Sequence, residues 1–237
     1  MPSLTDLRRQ LAADLLGIGA VALAPEDPFV WSSGLRAPVY CDNRKTLAHP
    51  QVRRRVADGV AKVLEQQSGE DTPTLVAGTA TAGIPHATLL AKRRSAPLSY
   101  VRSGVKEHGT GRRIEGADPA GERAVVIEDL VSTGASALGA ARALSEAGAE
   151  VTGVLAIFSY RLQAAADAFA EFPWPLHTLT DFPALLDVAE DDNDLASEQL
   201  RALRRWHRDP EAWSEECGGT EVRECGGNGR EARAEAA

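Results

Sequence analysis

The sequence predicts an α/β fold, a mostly parallel sheet flanked by helices, and three observations carry that prediction. From about residue 74 onward, short apolar runs alternate with longer segments of helical periodicity. The apolar run over 124–127 passes through Glu128 and Asp129 into a turn of Ser, Thr and Gly, and a new helix starts there. The small polar turns follow strand ends, which is where open sheets of this kind collect ligands.

Each element follows from local chemistry. Thr5 can cap a helix reaching about residue 16, with Leu4, Leu7, Leu11 and Leu15 on one face. Arg8 and Arg9 precede the apolar stretch 15–24 in the order of an export signal. Asp6 and Asp14 flank the pair, so the reading is an amphipathic first helix and the expected location is cytoplasmic. Residues 25–47 are richer in Pro, Gly and Ser, with extended pieces such as 38–41, and Pro50 opens a helix to about residue 66. A strand over 74–77, a helix over 84–94 and a short strand over 98–102 follow. Residues 103–121 are polar and glycine-rich without periodicity, and read as one long loop of the kind that moves in function. A strand over 123–128, a helix over 135–147 closed by Gly148, a strand over 151–159, a helix over 161–171 and a strand over 176–179 complete the alternation. After about Pro210 the composition changes: Glu-Cys-Gly-Gly occurs at 216–219 and again at 224–227, and the segment 210–237 reads as a disordered tail.

Composition narrows the function. Hydrophobic residues make up 43% and aromatics only 5%, so aliphatic packing must dominate the core. A net charge of −8 gives no global field for nucleic acid, so any bound anion must meet a local cluster of donors. Cys41, Cys217 and Cys225 are odd in number and make no disulfide framework, which suits a reducing compartment. No apolar run approaches the length of a membrane span.

The sharpest motif is Val-Val-Ile-Glu-Asp-Leu-Val-Ser-Thr-Gly-Ala-Ser, residues 125–136. Gly134 lets backbone amides approach an anion, the hydroxyls of Ser132, Thr133 and Ser136 can donate to it, and the helix N-terminus adds a positive partial charge. Such a loop suits a phosphate monoester. Glu128 and Asp129 would repel a phosphate they faced, but they fit a ribose diol or a hydrated magnesium ion beside it. The Gly-Lys-Ser/Thr of an ATP-binding loop is missing. The loop 103–121 adds Arg102, Lys106 and His108 among glycines, cations suited to a leaving pyrophosphate. A third segment, Gly-Thr-Ala-Thr-Ala-Gly over 78–83, leaves bare amides at a strand end.

These motifs resemble those of the type I phosphoribosyltransferases, and Lys106-x-His108-Gly-x-Gly resembles the catalytic loop of orotate phosphoribosyltransferases in particular. The resemblance spans roughly residues 5–180. It implies that Glu128 and Asp129 hold ribose hydroxyls, that Ser132, Thr133, Gly134, Ala135 and Ser136 hold the 5-phosphate, and that Leu130 and Val131 belong to the same phosphoribosyl pyrophosphate site. It gives Arg102, Lys106 and His108 to the pyrophosphate, with Lys106, His108 and Asp129 as the catalytic group and Mg²⁺ as cofactor. Ser132 and Arg161 are implied to contact orotate. Residues 29–47 are similar to a hood over the base, so the chain divides into a helix and hood over 1–48, a core over 49–209 and the tail. Some relatives carry lysines where Ser32, Ala82 and Ser103 or Gly104 stand here. Members of this group are homodimers in which the loop reaches the neighbour's site. The substrates implied are orotate and phosphoribosyl pyrophosphate, with no nucleic acid and no membrane as partners. Two alternatives stay open: a purine phosphoribosyltransferase, against which the hood and loop argue, and a non-catalytic regulator, against which the retained Arg102, Lys106 and His108 argue.

Overall fold

The computed structural model describes residues 3–67, 72–104 and 113–218. Helix α1 (Leu4–Gly17) buries Leu7, Leu11, Ala12 and Leu15. Its cap is Ser3, two residues earlier than the sequence suggested. Ser3 Oγ accepts from Asp6 N–H at 3.0 Å while Asp6 returns the bond to Ser3 N–H at 2.9 Å, a reciprocal box that Thr5 has no partner to make. Two small antiparallel pairs follow: β1 (Val21–Leu23) with β4 (Val39–Cys41), and β2 (Phe29–Val30) with β3 (Arg36–Ala37). A 3₁₀ helix (Asn43–Ala48) and α2 (Pro50–Gln67) lead into the main sheet.

The core alternates β5 (Leu75–Thr79), α3 (Gly83–Arg94), β6 (Leu98–Val101), β7 (Ile114–Gly116), β8 (Arg123–Val131), α4 (Ala135–Glu146), β9 (Glu150–Ser159), α5 (Gln163–Ala170) and β10 (Leu176–Asp181). The sheet order is β10-β9-β8-β5-β6-β7, parallel throughout except for β7 against β6. The predicted mostly parallel sheet is therefore present. The prediction of one unbroken loop over 103–121 is corrected, because residues 114–116 pair with β6 at Ser99, Tyr100 and Val101. Three residues are too few to show a period, and the pairing alone makes them a strand.

Strand alternation sets the layers. On β8, Val125 and Ile127 face the cluster built by α1, α2 and α3, while Ala124 and Val126 face α4 and α5. Leu155 and Ile157 against Val154 and Ala156 repeat the division on β9. Aliphatic residues dominate both faces, with Phe169, Phe172 and Trp174 added at the edge of the second. In a third cluster, six aromatics, Trp31, Phe158, Tyr160, Phe182, Trp206 and Trp213, join the hood to the C-terminal helices.

Those helices are α6 (Phe182–Asp191), α7 (Ser197–Arg208) and α8 (Pro210–Glu216). The last corrects the predicted tail over its first part: Asp209 caps α8 through Ala212 N–H at 3.0 Å, and Trp213 is 3% exposed. One large aromatic orders a segment whose average composition is polar. The rest of the predicted tail, with Cys225, lies outside the described residues. The helix expected from residue 161 starts at Gln163, because Arg161 takes a left-handed backbone with φ 56°. None of the described helices is long and apolar enough to cross a membrane.

Candidate active site

The chain's first parallel pairing puts β6 on one side of β5, and the next parallel strand, β8, joins on the other side. The strand order reverses between β5 and β8, so the turns after these two strands flank a crevice at their C-terminal ends. The segment 80–83 follows β5 and the segment 132–134 follows β8. The fold thus brings together the two turns that the sequence singled out separately.

Glu128 closes the floor of this crevice. It is 4% exposed, and its Oε1 accepts from Thr79 Oγ1 at 2.5 Å and from Asp129 N–H at 3.0 Å. Its Oε2 is buried and has no hydrogen-bond partner among the described residues. Burial, and then the neighbouring Asp129 charge, raise the Glu128 carboxyl above the usual carboxylate range. Burial likewise raises Asp129. Asn43 locks the strand end from beneath the hood, donating from Nδ2 to the Asp129 carbonyl at 2.6 Å.

Two cavities meet at the loop after β8. The smaller, about 210 Å³, is lined by Thr79, Ala80, Arg102, Ser103, Arg113 and residues 130–136. Gly134 caps α4 with φ 86° and no side chain caps the helix, so the first amides of α4 are left for a ligand. A Cβ at Gly134 would also lie 2.8 Å from Phe169 Cε2, so the turn needs glycine on two counts. The larger cavity, about 610 Å³, has Glu128 and Asp129 on its floor, Trp31, Tyr40 and Tyr160 among its walls, and Ser32 and Ala82 at its edge. Ala80, Leu130, Ser132, Thr133 and Ser136 border both cavities. A phosphate-sized space and a space for a planar base are therefore joined beside an acid pair.

Most predicted residues meet here. Arg102, Leu130, Val131, Ser132, Thr133, Gly134, Ala135 and Ser136 line the small cavity; Glu128, Asp129 and Ser132 line the large one. Lys106 and His108 lie outside the described residues. Arg161 is not brought to either cavity: its Nε sits 2.9 Å from Asp181 Oδ2. Asp181 is fully buried and also takes Arg8 at 2.5 Å, so it needs both cations. The sequence reading missed Arg113, Asn43 and the 207–211 wall. Arg113 Nε donates to the Arg102 carbonyl at 3.0 Å, which anchors it beside the small cavity. No local pattern signals it, because the strand it precedes exists only through its pairing with β6.

Magnesium can be tested against this donor set. No group of three or more His, Cys, Asp or Glu among the described residues could hold a metal by itself. The acid pair with its bare Oε2 suits a hydrated cation that shares its remaining ligands with substrate phosphates, the usual way of binding Mg²⁺.

A phosphoribosyl transferase domain model matches residues 44–169. The orotate phosphoribosyltransferases of Bacillus caldolyticus and Cutibacterium acnes are 50% and 48% identical to this chain over 207 and 210 residues. These matches cover 87% and 89% of this chain and 99% and 96% of the relatives. Among solved structures, the orotate phosphoribosyltransferase of Aeropyrum pernix is similar at a TM-score of 0.67 and 32% identity, covering 78% of this chain and 99% of its own.

Proposed function

The chain belongs to the orotate phosphoribosyltransferases, within the phosphoribosyl transferase domain family, and on that premise we propose how its residues divide the work. The reaction joins orotate to phosphoribosyl pyrophosphate, giving orotidine 5-phosphate and pyrophosphate in the pathway to UMP. The observation that carries the assignment of roles is the joint cavity, in which the acid pair of β8 lies between a capless helix N-terminus and an aromatic-walled space.

The first turn of α4 and the hydroxyls of Ser132, Thr133 and Ser136 hold the 5-phosphate. Glu128 and Asp129 hold the ribose hydroxyls and favour positive charge as it develops at the anomeric carbon. Arg102 faces the pyrophosphate, joined by Lys106 and His108 from the loop. Glu128 and Asp129, with the bare Oε2 of Glu128, would hold a hydrated Mg²⁺, which would supply charge neutralisation for the leaving pyrophosphate. Ser132, at the junction of the two cavities, contacts the base. Orotate is an anion whose ring nitrogen gives up its proton readily. The chain therefore needs no strong base, and positioning and charge stabilisation dominate. The functional unit we propose is a cytoplasmic homodimer in which Lys106 and His108 complete the neighbour's site.

The test is pyrophosphate release from phosphoribosyl pyrophosphate with orotate, uracil, adenine, guanine or no base. Magnesium-dependent release with orotate, and far slower release with the others, is expected. Faster release with a purine would overturn the orotate assignment, and no release with any base would favour a binding protein.

A further inference from the structure

The large cavity has a wall beyond the reach of the matched domain, which ends at residue 169. Residues 207–211, from the end of α7 to the start of α8, line the same space as Glu128 and Asp129. This wall is fixed from behind. Trp206 is fully buried, with its ring 5.6 Å from Trp31 and 5.8 Å from Tyr160, both edge-on. Ser214 Oγ accepts from Arg36 N–H in the hood at 3.0 Å. The C-terminal helices and the hood thus clasp each other across the cavity mouth.

Orotate differs from uracil by a carboxylate, and a carboxylate entering a cavity floored by two acids needs a cation close by. Among the described residues, three basic side chains line the large cavity: Arg44, His207 and Arg208. Arg44 is held by Asp42 at 2.7 Å. His207 Nε2 lies 2.8 Å from the Tyr160 carbonyl. Arg161 is spent on Asp181, outside the lining. Arg208 is exposed and forms no ion pair or hydrogen bond among the described residues. Of the two acids beside it, Asp209 is engaged in capping α8, which leaves only Glu211 to compete.

Resting on the orotate reading, we propose that Arg208 binds the carboxylate of the base, so that the end of α7 determines substrate specificity. The experiment compares wild type with Arg208→Ala, Arg208→Lys and Arg204→Ala. Arg204 lies one turn earlier on the same helix, paired with Glu190 outside the cavity, and controls for general effects on α7. Loss of one charge-assisted contact should raise KM for orotate at least about tenfold in Arg208→Ala. KM for phosphoribosyl pyrophosphate should stay within about twofold of wild type by the same reasoning, since the acid pair and phosphate loop are untouched. Arg208→Lys should recover part of the loss, and Arg204→Ala should match wild type. Titration calorimetry should show weaker orotate binding in Arg208→Ala with uracil binding unchanged. An unchanged orotate KM in Arg208→Ala, or an equal rise in both KM values, would overturn the proposal. Failure of wild type to use orotate at all would instead overturn the functional reading on which it rests.

Discussion

At Glu128 the chain accepts an arrangement that costs stability. A carboxylate is buried at a strand end with one oxygen bonded, the other bare and a second acid adjacent. Its raised pKa in the folded state means that the fold holds this proton more tightly than the unfolded chain does. Stability contributed by that proton is present at low pH and declines as pH rises from the ordinary Glu value through the raised one. Glu128→Gln removes the titration. Its melting temperature should exceed that of wild type, by a margin that widens between pH 5 and pH 8 and is worth on the order of 1 kcal/mol at the upper end. The same variant, and Asp129→Asn, should lose at least about a hundredfold in kcat/KM for phosphoribosyl pyrophosphate, as expected when charge matched to the transition state is removed. Thermal melts and steady-state rates check both halves; a less stable Glu128→Gln protein with full activity would make the acid structural. The acid pair was legible in the sequence because strand, acids, small turn and helix lie within a dozen residues. The ion pair of Arg161 was not, because its partner is Asp181, a buried cap on a later element that also binds Arg8.

The elements show why some segments read well and others did not. β8 and β9 are long, apolar and flanked by turns, so their strand character follows from their own residues. β7 and α8 depend on partners instead. β7 exists through pairing with β6, and α8 is fixed by Trp213 against the aromatic cluster and by Ser214 on Arg36. The Glu- and Gly-rich surroundings of Trp213 argued for disorder, and a single buried indole outweighs them. Trp213→Ala should cost about 3 kcal/mol, the usual range for emptying a buried aromatic site. A chain ending at Asp209 should lose at least as much and should bind orotate more weakly, because the hood is no longer clasped. Urea unfolding of both variants checks this. If either unfolds at the wild-type midpoint, the packing around Trp213 contributes nothing.

On the scale of the whole molecule, the alternation of strands and helices predicted the parallel sheet, but not the order in which strands pair. That order places the 80–83 and 132–134 turns side by side, and no local sequence pattern encodes it. Assembly lies one step further out. If the loop of one chain completes its neighbour's site, each site combines Glu128 and Asp129 from one copy with Lys106 and His108 from the other. Lys106→Ala and Asp129→Asn proteins should each be nearly inactive alone. In a mixed dimer, one site then receives both defects and the other receives none. Random exchange between equal amounts puts half of the chains into mixed dimers, so activity should recover to roughly a quarter of wild type for a twofold-symmetric pair. If each loop serves its own chain, every site keeps one defect and mixing restores nothing. The measurement is orotate consumption over time under conditions of subunit exchange, with exchange itself followed by mass-tagged chains. Recovery toward a quarter supports the shared site, and complete exchange without recovery rules it out.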